Sequence, residues 1–226
     1  MQVSQVIQTL RFSPVVPFKL EGPKTCILSF ENFISDKNLS EQAYTASIKS
    51  YVEAKLQEVN AKYAIGGYLE NRQNLYSRSS HFDLEDDLSR SVHLGTDIWC
   101  PAGTPIYAPL EGTIHSFKNN NSYGNYGPTI ILEHTVQEVT FFTLYGHLSL
   151  ESLIGIKAGQ KIISGQQIAT LGQVAENVGW PPHLHFQLIT DMQNMNGDYP
   201  GVASTLDIDK WKGYCLDPNL ILRSQI

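Results

Sequence analysis

Two histidines, His183 and His185, sit one residue apart in "GWPPHLHFQL" (179–188), a run that otherwise alternates like a β-strand. Side chains at i and i+2 of a strand point to the same side of the sheet. Both imidazoles therefore face one space, with Leu184 and Phe186 facing the other way. Two neutral rings gain little from being neighbours, and two charged rings repel. A shared third object, a metal ion or a reacting group, accounts for the pair.

Other histidines fall in suggestive places. His93 lies in "VHLGTDIW", with Asp97 four residues later, and His147 lies in "LYGHLS". If "TDIW" enters a strand, a turn at Gly95 folds His93 back beside Asp97. A His, an Asp and a distant His are suitable zinc ligands, with the fourth position left for water. Zinc makes such a water a nucleophile near neutral pH. Two further histidines beside it would exchange protons or hold a developing oxyanion. Taken singly, HxH and HxxxD are weak signals, and each histidine is more often a satisfied core or surface residue. The combination is sharper.

The elements that must carry these residues change character along the chain. Residues 1–37 are irregular and contain proline, with one plausible strand, "TCILSF". Apolar residues at Tyr44, Ile48, Tyr51, Val52, Leu56, Val59 and Tyr63 then follow helical spacing. That spacing predicts an amphipathic helix from about 41 to 64, with Ser40 as N-cap and Gly66-Gly67 as its stop. From about 92, short β-type runs alternate with glycine-marked turns: "TPIYAPL", "GTIHSF", "PTIILEH", "VTFFTLYGHLS", "QKIISGQQIATLG", "HLHFQLI". Such closely spaced strands predict a mainly β, antiparallel sandwich or small barrel, with an N-terminal α-helical extension. The expected division is an extension over 1–66 and the β domain over 67–226. The stretch from 191 reads as a polar loop before "LDPNLIL".

Composition narrows the partners. The 226 residues carry a formal net charge of -6, with 17% charged residues and no long basic run. Nucleic acid and anionic membrane surfaces are not expected partners. No apolar span is long enough to cross a membrane, and the N-terminus lacks the pattern of a signal peptide, so a cytoplasmic location is expected. Cys26, Cys100 and Cys215 are widely spaced, without a CxxC, and read as reduced, buried thiols.

Taken in order, "HLGTD", "YGHLS" and "HLHF" resemble the HxxxD, Tyr-x-His and HxH motifs of the M23 (LytM/lysostaphin-type) zinc metallopeptidases. "PAGTPIYAPLEGTI", "IKAGQKIISGQQIATLG" and "LDPNLIL" resemble that family's hairpins and closing strand. The resemblance covers roughly 90–190 and the tail around 217. It implies antiparallel sheets in the duplicated hybrid motif. It implies zinc held by His93, Asp97 and His185, with His147 and His183 as the non-ligand pair. It also implies hydrolysis of peptide bonds, usually in bacterial cell-wall peptidoglycan.

Four features depart from that pattern. "ENVGWPPHLHF" replaces a Gly/Ser/Thr-rich loop with a stiffer, more apolar rim. About 191–214 reads as an insertion. The family usually acts outside the cytoplasm, yet no export signal is read here. The phrasing of "YGPTIILEH", "FFTLYGHLSLESL" and "GWPPHLHFQLI" resembles M23 domains found in fusions with class III aminotransferases. Among the remaining polar residues, His134 is expected to be structural and His115 solvated. His81 is a loop residue that could line the cleft. Arg72, Arg78 and Arg90 are expected to pair with the acids of "DLEDD" rather than with substrate. Asn119-Asn120-Asn121 is expected to form a turn. Two functions outside hydrolysis compete: a non-catalytic M23-like binding module and, more weakly, a sugar-transport-type phosphocarrier using paired histidines.

Overall fold

The computed structural model describes residues 2–34, 36, 38–76 and 90–224; His81, Arg78 and the "DLEDD" run lie outside the described residues. First come α1 (Val3–Thr9), β1 (Thr25–Ile27), α2 (Glu41–Glu58), β2 (Tyr63–Gly66) and the single turn α3 (Gln73–Tyr76). Short strands then dominate: β3 (Val92–His93), β4 (Thr96–Trp99), β5 (Pro105–Tyr107), β6 (Gly112–Asn120), β7 (Gly127–Val136) and β8 (Val139–Gly146). They continue with β9 (Lys161–Ile162), β10 (Gln167–Thr170), β11 (His183–Ile189) and β12 (Val202–Ala203), followed by α4 (Ile208–Tyr214), β13 (Cys215–Leu216) and α5 (Asn219–Leu222). The fold is mainly β, as the strand spacing predicts.

One nine-stranded sheet runs β1-β2-β4-β11-β8-β7-β6-β9, with β13 also paired to β11; β10-β5 and β12-β3 form two small ribbons. Among the described residues only the β1–β2 pairing is parallel. The β7–β8 hairpin closes through Gln137 and Glu138, both at positive φ (50° and 66°). Two such residues make the turn whose twist matches the flanking strands. β11 is central, and all seven of its residues are buried. Leu184, Phe186 and Leu188 enter the main core with Ile98, Ile130, Leu132 and Tyr145. The alternate residues therefore share the opposite face.

The N-terminal part builds a second core on that opposite face. Phe30, Phe33, Tyr44, Ile48 and Val52 pack with Leu75, Tyr76 and Trp99. Ser40 caps α2 by accepting from the Ala43 N–H at 3.2 Å. Ile48 is 1% exposed. Ile48→Ala is expected to cost 2–5 kcal/mol in chemical denaturation, roughly the usual loss for emptying such a site; an unchanged midpoint would mean that α2 does not pack there.

Several local expectations are corrected. α2 ends at Glu58, not near 64, because Tyr63–Gly66 pairs with both β1 and β4. Sheet pairing overrides the helical spacing there, and Phe18 stacks on Tyr63 with ring centroids 3.5 Å apart. Gly66, expected as a helix stop, is opposite Asp97 in the sheet. Residues 3–9, read as irregular, form α1, and only Thr25–Ile27 of "TCILSF" is strand. "LDPNLIL" contributes only the end of β13; Pro218 has no N–H for the ladder, and the chain turns into α5. The 191–214 stretch is not purely loop but holds β12 and α4. Asn119 and Asn120 end β6 rather than forming a turn, and the buried Asn120 amide donates to Thr129 Oγ1 and to the Gly197 carbonyl. All three cysteines are unbridged; Cys100 and Cys215 are buried, Cys26 half-buried. Among the described residues no helix is long and apolar enough to cross a membrane.

Candidate functional site

β4 and β11 lie side by side in antiparallel register, with His185 directly opposite Asp97 and His183 opposite Trp99. His93 arrives from β3 across a tight link at Gly95. A Cβ on Gly95 would stand 2.5 Å from His185 Cε1, so only glycine admits the ring. Three donor atoms converge as a result. His93 Nε2 is 3.0 Å from His185 Nδ1, His185 Nδ1 is 3.2 Å from Asp97 Oδ1, and His93 Nε2 is 3.4 Å from Asp97 Oδ1.

The outer hydrogen bonds explain what these atoms offer. The His93 Nδ1–H donates to the Gly67 carbonyl at 3.0 Å. The His185 Nε2–H donates to Gln187 Oε1 at 3.0 Å. In the neutral rings each bond leaves the inward nitrogen as a bare lone pair. Gln187 is itself fixed, because its amide N–H groups reach the Pro200 carbonyl (3.1 Å) and Cys215 Sγ (3.2 Å). Two lone pairs and a carboxylate oxygen aimed at one point repel unless a cation lies between them. Tetrahedral zinc with bonds of about 2.0–2.1 Å separates its ligands by about 3.3 Å. The observed triangle matches that spacing, so the residues present fit the ion.

Charge around the site is set by burial. Burial pushes the Asp97 carboxyl up, but the neighbouring His93 and Arg72 charges outweigh it and hold Asp97 well below the ordinary carboxylate range. Burial, helped by the Arg72 charge, pushes His93 down to about 4. At neutral pH His93 is therefore uncharged, and Arg72 is the lasting counter-charge. Arg72 NH1 donates to Asp97 Oδ2 at 2.5 Å, and its Nε donates to Glu70 Oε2 at 2.5 Å. Among the described residues Arg72 therefore pairs with Glu70 and Asp97, while the "DLEDD" acids expected as its partners lie outside them.

His147 and His183 stand beside this triad. The His183 ring stacks on Trp99 at 4.2 Å, and its Nδ1–H donates to the Pro181 carbonyl at 2.8 Å. Its Nε2 thus faces the triad, 3.9 Å from Asp97 Oδ1. Burial pushes His183 down to about 4, although Asp97 pulls the other way. The His147 ring lies 4.1 Å from that of His183. It follows the end of β8 at φ 61°, a backbone state that non-glycine residues adopt at a cost of roughly 1–2 kcal/mol. Its N–H to the Tyr126 carbonyl (2.7 Å) and its carbonyl from the Gly172 N–H (2.9 Å) pin that turn. His147 Nδ1 is buried with no hydrogen-bond partner among the described residues. Burial, then His183, push His147 well below its ordinary range.

All five expected residues line one cleft of about 430 Å³. Trp180 stands on its rim, and Met195, Asn196, Asp198 and Tyr199 of the 191–214 stretch form one wall. His134 is buried away from it, bonded to the Glu111 carbonyl and Thr143 Oγ1. His115 is half-buried beside Phe142, less solvated than expected. Sequence reasoning missed Glu70, Gly67, Tyr126 and Gln187. Gln187 carried a signal, since it is i+2 from His185 and shares its face; the others carried none.

The Peptidase family M23 model matches residues 91–197. A peptidoglycan DD-endopeptidase, ShyA, of Vibrio cholerae is 36% identical over 118 residues, 52% of this chain and 25% of its own length. An uncharacterized metalloprotease of Haemophilus influenzae is 27% identical over 223 residues, 90% of this chain and 44% of its own. This chain thus spans less than half the length of these curated relatives. Among solved structures, the catalytic domain of the antimicrobial peptidase lysostaphin from Staphylococcus simulans is 26% identical over 54% of this chain and 80% of its own, with a TM-score of 0.38. Residues 91–197, just under half of this chain, thus carry the similarity to peptidase family M23.

Proposed function

We propose that this chain hydrolyses peptide or amide bonds, in peptides of the peptidoglycan type, using zinc held by His93, Asp97 and His185. The observation that carries the reading is the convergence of two lone-pair nitrogens and one carboxylate oxygen, within 3.0–3.4 Å of one another, in a cleft shared with two uncommitted histidines. The peptidoglycan-acting relatives favour cell-wall peptides over cytosolic amides as the first substrates to test. We further read the domain as the duplicated hybrid arrangement, of the kind carried in fusions with class III aminotransferases, with residues 1–66 as an extension to a unit spanning 67–226.

When bound, the ion supplies Lewis acidity, which polarises a carbonyl and brings the pKa of water toward neutrality. The protein's own residues supply the proton traffic. His183 and His147 are uncharged at neutral pH, so each can accept a proton. His183 has Nε2 free because Pro181 holds Nδ1–H. As water adds to the scissile carbonyl carbon, one of these rings takes its proton. As the C–N bond breaks, the protonated ring returns a proton to the leaving amine nitrogen. Once charged, either ring also stabilises the oxyanion. Trp99 and Trp180 wall the cleft beside His183, and their apolar faces limit water around the reacting groups.

The test is zinc analysis of chain purified without chelator, followed by digestion of cross-linked peptidoglycan fragments. One zinc per chain and chelator-sensitive cleavage are expected. Zinc retention without cleavage of any peptide would favour the binding-module reading, and failure to retain added zinc would end the metal reading altogether.

A further inference from the structure

The segment just before the family match holds two buried charges that the proposed reaction does not use. Glu70 is 8% exposed and Arg72 3%. Burying such groups is costly unless each is fully paired, so the arrangement needs a reason. Arg72 spans two carboxylates, with Nε on Glu70 Oε2 and NH1 on Asp97 Oδ2. NH1 also donates to Tyr76 Oη at 3.3 Å, and the guanidinium lies over the Phe30 ring, 5.3 Å from its centroid. Glu70 Oε1 accepts the Phe30 N–H at 2.7 Å. The chain of contacts therefore runs from Phe30 in the N-terminal part, through Glu70 and Arg72, to the outward oxygen of Asp97.

The same segment holds His93. The Gly67 carbonyl takes its Nδ1–H. The His93 N–H donates to the Glu70 carbonyl at 2.9 Å, and the Leu69 N–H donates to the His93 carbonyl at 2.8 Å. Gly67 sits at φ 103°, and a Cβ there would stand 3.0 Å from His93 Nδ1. Residues 67–72 thus fix two of the three metal-facing side chains, although they lie outside the matched 91–197.

We propose that Glu70 and Arg72 form a brace, anchored on Phe30, that holds Asp97 as a one-oxygen metal ligand; both are positioning residues, and the inference rests on the proposed metal site. A carboxylate with two free oxygens can rotate or chelate. With Oδ2 held by Arg72, only Oδ1 is presented beside His93 Nε2 and His185 Nδ1. An arginine alone would also repel a dication and neutralise its ligand. Glu70 offsets that charge, so Asp97 keeps its negative charge for the ion. The planar fork of arginine suits this double contact, whereas the point charge of lysine does not.

The experiment compares the full chain with Arg72→Lys and with the charge-neutral double variant Glu70→Gln/Arg72→Met. Zinc affinity is read by competition with a chromogenic chelator, and ligand geometry by the visible spectrum of the cobalt-loaded protein; neither readout uses activity. Both variants are expected to raise the zinc Kd by about 10–100-fold, the usual consequence of removing an outer partner of a metal ligand, and to change the cobalt spectrum. Variants that bind zinc within about twofold of wild type, with an unchanged cobalt spectrum, would overturn the brace. Unfolding of both variants in saturating zinc would also overturn it, by making the pair a folding element. If the unaltered chain binds no zinc, the metal reading falls first, a result distinct from either variant outcome.

Discussion

His185→Ala is expected to strip the chain of zinc and to lower its melting temperature while leaving the sheet folded. The substitution removes one corner of the 3.0–3.4 Å triangle, and two donors do not hold the ion. Metal that binds only the folded state stabilises it by mass action, by about 2.7 kcal/mol at a free zinc concentration 100-fold over Kd. For a chain of this size that corresponds to a fall of roughly 5–11 °C. Stripping zinc from the unaltered chain with chelator should produce most of the same fall. The remainder of the fall comes from the ring itself, whose Nε2–H bond to Gln187 Oε1 and packing against Tyr126 are lost with it. Elemental analysis and thermal melts with and without chelator check this. A His185→Ala protein that keeps one equivalent of zinc would show that the ligand set is wrong.

His147→Ala and His183→Ala are expected to keep zinc and fold, yet lose cleavage by about 10²–10⁴-fold, the range for acid–base assistance. Neither ring belongs to the converging triad, although His183 Nε2 is 3.9 Å from Asp97 Oδ1. Each variant therefore needs its own zinc measurement. At position 147 the backbone is left-handed, so His147→Asn is a cleaner variant than alanine because asparagine tolerates that conformation. Complete zinc loss in His183→Ala would exchange the roles assigned to His183 and His185. Full activity in the 147 and 183 variants together would remove both from catalysis and leave the cleft as a binding site.

The roles of individual side chains were unevenly legible in the sequence. The i, i+2 rule puts His183 and His185 on one face of a strand, and β11 places both toward the Asp97 carboxylate. The HxxxD spacing implies a tight return, and Gly95 provides it by admitting the His185 ring. Strand-rich texture after 92 gives the β class, because period-2 patterns and turn residues are local properties. Helix boundaries failed where local spacing met a long-range partner: Tyr63 fits the α2 periodicity, yet it pairs with Thr25 of β1, and the residues that follow it pair with β4.

What the sequence alone determined is the set of residue types able to hold a metal and move protons, and the strands that carry most of them. Only the tertiary structure decided how those residues are supported. Arg72 and Asp97 are 25 positions apart, and His185 and Asp97 are 88 apart. No periodicity links such pairs, because sheet order and a second core bring them together. The same holds for the 191–214 stretch, which reads as polar loop yet walls the cleft and supplies the Pro200 carbonyl that orients Gln187. Spacing along a chain fixes which face a side chain takes. Which partner waits on that face depends on strands that pair across the whole molecule, and pairing energy is decided by burial and backbone hydrogen bonding of the assembled sheet rather than by any local run of residues.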